Sequence, residues 1–124
     1  MCLRFVVTRR DGRRSPRHGV FVPAYELLRG GTLSTAESDW LREILTWFEA
    51  NLPLPDRSKL EPGAIFWFKP GAARSVSRIW DLVAFLEEHG YHVELIKTRR
   101  PGRICYEDHH QVAATPYRRD RAPV

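Results

Sequence analysis

The stretch from Ala64 to Lys97 has the pattern of a strand, a short loop, a helix, a glycine turn and a second strand. A continuous apolar run over residues 64–68 ends at a Lys-Pro-Gly sequence, and apolar residues at helical spacing then continue to Gly90. This pattern is typical of a βαβ unit, and it predicts parallel pairing of the two strands with a right-handed crossover. We expect the unit to supply the centre of the core.

The N-terminal half predicts one strand followed by two helices. Residues 3–8 are rich in β-branched and aromatic side chains, and residues 20–28 place their apolar side chains on one helical face. A second helix begins after Ser34, because Glu37 follows three residues later in the capping-box pattern. Residues 53–63 contain three prolines and predict an extended connection.

The C-terminal part predicts antiparallel hairpins. Arg100-Pro101-Gly102 is a turn signal between the strand that ends near Lys97 and a strand at 103–106, and a last strand follows at 111–115. The order is therefore β-α-α-β-α-β-β-β. It predicts an α+β two-layer sandwich, with a mixed sheet of about five strands and three helices mainly on one face. We expect one compact domain over residues 1–117 and a frayed basic tail at 118–124.

Composition narrows the possible classes of protein. The chain has 124 residues, of which 43% are hydrophobic, a share typical of a folded domain. The sequence contains no run of 18 or more apolar residues, so it predicts no membrane-spanning helix. Cys2 and Cys105 match no metal-ligand spacing, and no signal peptide is recognisable. We therefore expect a cytoplasmic protein without a cofactor and without contact to a membrane.

The positive charge is clustered. Net charge is +5, with 17 arginines against 3 lysines, and Arg is suited to bidentate contacts with phosphate. Residues 32–62 are acidic instead, which predicts one basic and one acidic face. The candidate residues for binding nucleic acid or another anion are Arg9, Arg10, Arg13, Arg14, Lys69, Arg74, Lys97, Arg99, Arg100 and Arg103. If the first strand and the strand ending at Lys97 share a sheet, their ends would form one basic rim.

The loop from Lys69 to Ser75 runs from a strand into a helix. The N–H groups and the helix dipole at such a junction favour an anion, and Lys69 and Arg74 add positive charge. Neither phosphate-loop pattern of glycines is present. The alternative is that Pro70 and Gly71 only shape a tight turn.

A second candidate site is the run Glu107, Asp108, His109 and His110 after Tyr106. Carboxylates beside imidazoles can bind a divalent metal or act as acid and base, and with Lys69 they suggest a metal-assisted hydrolase such as a nuclease. Neighbouring residues in a strand point to opposite faces, however. A polar hairpin turn explains the same residues.

Trp40 and Trp47 lie one heptad apart at the edge of the apolar stripe of the second helix. Exposed tryptophans at this spacing would anchor a protein partner, so a protein–protein adaptor is a third hypothesis. The alternative is that both belong to the core.

Several short sequences recur together in a known group. The strand end WFKPGA, the turn TRRPG, the following YED and the ending QVAATPY resemble a group of small bacterial proteins of uncharacterised function. The resemblance spans roughly residues 64–117, with a looser match before it. It implies one compact domain of bacterial type, and it carries over no activity and no catalytic residue.

The leading hypothesis from the sequence is a small non-catalytic bacterial binding or accessory protein. Its basic rim would bind nucleic acid or another polyanion, with an acidic protein as the alternative partner. Such a protein would act as a subunit of a larger assembly.

Overall fold

The computed structural model describes residues 1–8, 19–52, 55, 58 and 60–117, and in these ranges the chain forms five strands and three helices in the predicted order. The predicted tail at 118–124 lies outside the described residues. The elements are β1 (Cys2–Thr8), α1 (Phe21–Gly30), α2 (Thr35–Asn51), β2 (Ile65–Phe68), α3 (Ala73–Glu88), β3 (His92–Thr98), β4 (Arg103–Glu107) and β5 (Gln111–Thr115).

The five strands form one sheet in the order β3-β1-β2-β5-β4, and every neighbouring pair is antiparallel. The expected parallel pairing of β2 with β3 is wrong, because β1 lies between them. Both strands run antiparallel to β1 and hence parallel to each other, and α3 connects them across β1. A βαβ pattern fixes the relative direction of its strands but does not exclude a third strand between them.

The predicted hairpin between β3 and β4 is also wrong. These strands are the two opposite edges of the sheet, and residues 99–102 cross from one edge to the other. The five Cα–Cα steps from Thr98 to Arg103 span at most about 18 Å, whereas four strand spacings in a flat sheet amount to about 19 Å before any offset along the strands. A connection this short has to run nearly fully extended between the two edges, and β3 and β4 do not pair.

Gly102 allows this crossing. Its φ is 125°, and a Cβ at this position would overlap the carbonyl oxygen of Thr115. Only glycine fits a positive φ and so close an approach of two backbone segments. The predicted β4–β5 hairpin is confirmed, with Arg103 opposite Thr115 and a bulge between Ile104 and Tyr106.

The three helices pack together on one face of the sheet, as predicted. Their shared core includes Leu41, Ile79 and Leu86, and it extends to Phe5 and Val7 of β1. Each helix has an apolar stripe along one side, and burying these stripes against the sheet and against one another places the three helices in one layer. No helix of the described residues combines the length and the apolar character that crossing a bilayer requires.

Part of the other face of the sheet is buried too, although the three helices of the described residues lie on the opposite face. Val6 alternates with Phe5 and Val7 and therefore points away from the helices, yet only 1% of it is exposed. Trp67 and Val112 are paired on this same face and are also buried. On this face, the indole Nε1 of Trp67 is buried and has no hydrogen-bond partner among the described residues.

Candidate anion-binding site

One end of the domain collects basic side chains from three elements. Because β2 and β3 both run antiparallel to β1, both end at the same end of the sheet, where Leu3 pairs with Phe68 on one side and with Lys97 on the other. Helix α3 begins at this end, directly after β2. We call the following set the basic end: Lys69, Arg74, Arg78, Lys97 and Arg99.

A shallow pocket of about 290 Å³ opens beside the first two turns of α3. Its lining comes from Ala73, Arg74, Ser77 and Arg78 of α3 and from Trp47 of α2. The guanidinium of Arg78 lies 5.4 Å from the centre of the Trp47 ring, within the range of a cation–π contact. The pocket thus offers two guanidinium groups and a hydroxyl against an aromatic wall, which is a donor set for phosphate.

The N-terminus of α3 has no side chain to cap it. Ala72 holds the N-cap position and makes no side-chain hydrogen bond, and the first turn contains no acidic residue. The helix dipole places partial positive charge here, and Arg74 in the first turn adds more. Arg78 follows at i+4, so the two like charges are neighbours on the helix surface. This end of α3 therefore carries a positive potential that no carboxylate of its first turn offsets.

The structure places the loop that begins at Lys69 against the turn that contains Glu107 and His110. The Lys69 Nζ atom lies 2.6 Å from Glu107 Oε2, and the Lys69 backbone N–H donates to the carbonyl oxygen of His110. On the α3 side, Ser75 Oγ lies 3.4 Å from His110 Nδ1. Because Ser75 is only 1% exposed, this contact joins helix to turn and is not open to a substrate.

Asp108 organises the β4–β5 turn. Its carboxylate accepts hydrogen bonds from the hydroxyl of Tyr106 at 2.6 Å and from the backbone N–H groups of His110 at 2.7 Å and Gln111 at 2.9 Å. Burial acts to raise the pKa of Asp108, but these hydrogen bonds outweigh it, and the pKa lies below its ordinary value. Accepting the Tyr106 hydroxyl in turn raises the pKa of Tyr106. Asp108 therefore stabilises the turn between β4 and β5, as the alternative interpretation of a polar hairpin turn expects.

The metal-assisted hydrolase stays a prediction. Glu107 pairs with Lys69, His109 is exposed and Asp108 is bound within its own turn. In the part of the chain that the structure describes, no three side chains of the types His, Cys, Asp and Glu are grouped so that they could hold a metal ion.

Two predicted basic residues lie away from the basic end. Arg103 lies beside the last residue of β5 and pairs with Glu61 at 2.6 Å. Glu61 also accepts from the Thr115 hydroxyl at 2.9 Å, and the hydrogen bonds from Arg103 and then Thr115 hold the pKa of Glu61 below its usual range. Arg100 lies over the ring of Tyr117, 5.1 Å from its centre. Both arginines are therefore engaged in the crossing between β3 and β4.

The remaining predicted arginines, Arg9, Arg10, Arg13 and Arg14, lie outside the described residues. The direction of β1, the strand that precedes them, is relevant to the predicted basic rim. In the antiparallel register of β1 and β3, Thr8 pairs with His92 and Cys2 pairs with Thr98. Strand β1 thus ends at the end of the sheet opposite to Lys97, so the two strand ends do not meet as the rim hypothesis requires.

The two tryptophans of the adaptor hypothesis differ in their surroundings. Trp40 is 39% exposed and stacks on Phe85 of α3, with ring centres 4.9 Å apart. Trp47 is partly buried between Phe48 and Arg78. Both help to join α2 to α3, and each leaves part of its ring accessible.

Sequence reasoning missed Arg78, Ser77 and the contribution of Trp47. The one available signal was the pair Arg74 and Arg78 at i and i+4 in a helix whose first turn lacks an acid. The role of Trp47 had no local signal, because it comes from another helix.

Comparisons with known proteins yielded no match for this chain among protein-family models, curated proteins or solved structures.

Proposed function

We propose that this protein is a non-catalytic binding module that holds a polyanion, and specifically nucleic acid, at its basic end. The observation that carries the proposal is the pocket of Arg74, Ser77 and Arg78 at the start of a helix without a cap. A phosphate group in this pocket would receive charge-assisted hydrogen bonds from the guanidinium groups and a favourable interaction with the helix dipole.

The neighbouring basic residues support a ligand with several charges. Lys97 and Arg99 are exposed at the end of β3, and the structure gives them no ion pair within the described residues. Lys69 is paired with Glu107, but its side chain is 30% exposed and that of Glu107 is 51% exposed, so the pair is open to exchange. A chain of phosphates can contact such a set one group at a time.

The cellular context is part of the same proposal. We place the protein in the cytoplasm as an accessory subunit of a bacterial assembly that handles nucleic acid. The unpaired state of Cys2 and Cys105 is consistent with a reducing compartment. An acidic protein is the alternative partner.

The test is a salt titration of binding. Anisotropy of a labelled oligonucleotide would be followed at several salt concentrations for the wild type, for Arg74→Ala/Arg78→Ala and for the control Arg29→Ala/Arg42→Ala. The two double variants have equal net charge, and the control removes two exposed helical arginines outside the basic end. Five phosphate contacts predict a slope of log K against log salt of about −3.5 for a single strand, and losing two of them lowers its magnitude by about 1.4.

The control should keep the wild-type slope. Absence of binding at low salt would contradict the proposal, and so would equal losses in the two double variants, since net charge alone would then explain them. Displacement of the oligonucleotide by an acidic polypeptide at the same charge concentration, with no preference for phosphate, would favour the alternative partner.

A further inference from the structure

Trp80 is the exposed aromatic residue closest in sequence to the pocket. It lies near the middle of α3, is 48% exposed, and meets Phe5 with ring centres 5.0 Å apart and planes at 89°. Phe5 itself is 3% exposed. The indole is therefore held in place from below by the core while about half of it faces solvent.

The helix around Trp80 leaves the indole accessible. Its neighbours at i−3 and i+4 are Ser77 and Ala84, which are both exposed and too short to cover a ring. The half of the ring that faces solvent costs solubility and gains no packing, so an exposed Trp in such a setting is typical of a contact surface.

The same flank of α3 joins the indole to the anion pocket. Ser77 lines the pocket, and Ala73, a further turn toward the N-terminus, lines it as well. On the sheet, Lys97 is on the same face as Leu95, which pairs with Phe5 below the indole. Lys97 is thus a diagonal neighbour of Phe5, about 7–8 Å away along the sheet. Lys97 thus places positive charge near Trp80 on the sheet, while Arg74 and Arg78 of the pocket lie on the adjoining flank of α3.

We infer that the ligand of the basic end is a single-stranded nucleic acid, with one unpaired base stacked on Trp80 while its phosphates are bound by the pocket and Lys97. The inference rests on the proposed function and adds the class of nucleic acid. In a duplex the bases are stacked on one another, so an indole cannot reach their faces. Aromatic platforms beside basic grooves are how proteins hold single strands without reading their sequence. The charge around Trp80 favours this occupant over an apolar protein surface.

The experiment compares Trp80→Leu, Trp80→Phe and the control Trp40→Leu by anisotropy with a labelled oligo-dT single strand, a duplex of equal length, and heparin as a competitor. Leu keeps an apolar side chain over Phe5 but has no flat ring, whereas Phe keeps a ring. Trp40 is the matched control because it is similarly exposed but stacks on Phe85 near the other end of α3. Circular dichroism would confirm that each variant is folded.

Trp80→Leu should weaken binding of the single strand by about 5- to 100-fold at fixed salt, with an unchanged salt slope and unchanged binding of duplex and heparin. Trp80→Phe should recover most of the loss, and Trp40→Leu should bind as the wild type does. If Trp80→Leu binds the single strand as tightly as the wild type does, or loses affinity for the duplex and the single strand equally, the inference is overturned while the proposed function stands. If the wild type binds no nucleic acid at all, both fall.

Discussion

The N-termini of α2 and α3 are built in opposite ways. At α2 the hydroxyl of Ser34 accepts from the backbone N–H of Glu37 at 3.2 Å, and the carboxylate of Glu37 accepts from the backbone N–H of Ser34 at 2.9 Å. At α3 the equivalent position is Ala72, which has no capping group, and Arg74 occupies the first turn. At α2, side chains of the helix terminus accept hydrogen bonds from its N–H groups. At α3, no side chain at the N-cap does so, and the N–H groups of the first turn need other acceptors.

The difference indicates where local stability has been given up. A side-chain cap contributes about 1 kcal/mol, and a basic residue in the first turn opposes the helix dipole by about 0.3–1 kcal/mol. Helix α3 forms nonetheless, because Ile79, Leu82 and Leu86 are fully buried and tertiary packing outweighs local preference. Ala72 is buried, so packing accounts for the missing cap, whereas Arg74 is exposed and gains no packing in the first turn. Departures from local preference without a packing reason concentrate at functional sites, and Arg74 therefore favours the start of α3 over that of α2 as the binding site.

The largest change in stability is expected at the capped terminus. Ser34→Ala removes the acceptor for the Glu37 N–H and should lower the free energy of unfolding by about 1 kcal/mol. Chemical denaturation would measure it, and binding of the oligonucleotide to the folded variant should not change. Thr35→Ala, one residue into the helix, is the control and should cost less. A loss of binding in Ser34→Ala would mean that the two termini are not independent.

A smaller effect is expected from acid at the same terminus. The backbone hydrogen bond from Ser34, then its hydroxyl, then His89 at 2.9 Å hold the pKa of Glu37 below its ordinary value. A carboxyl with a depressed folded-state pKa contributes stability above its unfolded pKa and loses it as pH falls through the folded pKa. Stability should therefore decline as the pH falls below the range in which an ordinary Glu is ionised, and the decline should be shallower in Glu37→Gln.

Thermal unfolding at several pH values would measure this slope, with Glu43→Gln on the same helix as the control. Asp108 and Glu61 also have depressed pKa values, so part of the decline should persist in Glu37→Gln. A slope that is the same in Glu37→Gln as in the wild type would contradict the role assigned to the capping box.

The smallest effect is expected from adding a cap to α3. Ala72→Ser supplies a hydroxyl at the N-cap and should raise the free energy of unfolding by about 0.5 kcal/mol. Because the hydroxyl competes with a phosphate for the same N–H groups, affinity for the oligonucleotide should fall a few-fold, which titration at fixed salt would measure. Stabilisation without any loss of affinity would separate the helix terminus from the binding site.

The sequence predicted what depends on near neighbours. The capping box of α2 needs only Ser34 and Glu37, three residues apart, and the order of the eight elements follows from local periodicity. The α+β class with helices on one face is confirmed. It could be predicted because the apolar side of each amphipathic element can be identified from its own sequence.

Sequence reasoning failed where distant segments decide. The insertion of β1 between β2 and β3 depends on competition among strands for partners, which no local pattern encodes. The Arg-Pro-Gly sequence at 100–102 is a common turn signal, yet here it lies in the connection that crosses from one edge of the sheet to the other. Local signals cannot distinguish the two uses of one tripeptide.

The candidate site was predicted in part. Lys69, Arg74, Lys97 and Arg99 were named from charge alone, and the topology places them at one end of the domain. The ion pair between Lys69 and Glu107 could not be predicted in this way, because it depends on the β2–β5 and β4–β5 pairings. These pairings bring Lys69 Nζ within 2.6 Å of Glu107 Oε2, although the two residues are 38 positions apart in the sequence.

The most direct test of the account is Arg74→Glu, examined for both stability and binding. Glu in the first turn complements the helix dipole and forms an i,i+4 pair with Arg78 in place of a repulsion. The account predicts opposite signs in the two measurements: the free energy of unfolding without ligand rises by about 1 kcal/mol, while affinity for a single-stranded oligonucleotide at low salt falls at least about tenfold. If Arg74→Glu is less stable than the wild type, or binds the oligonucleotide equally well, the start of α3 is not a terminus where stability has been given up for an anion.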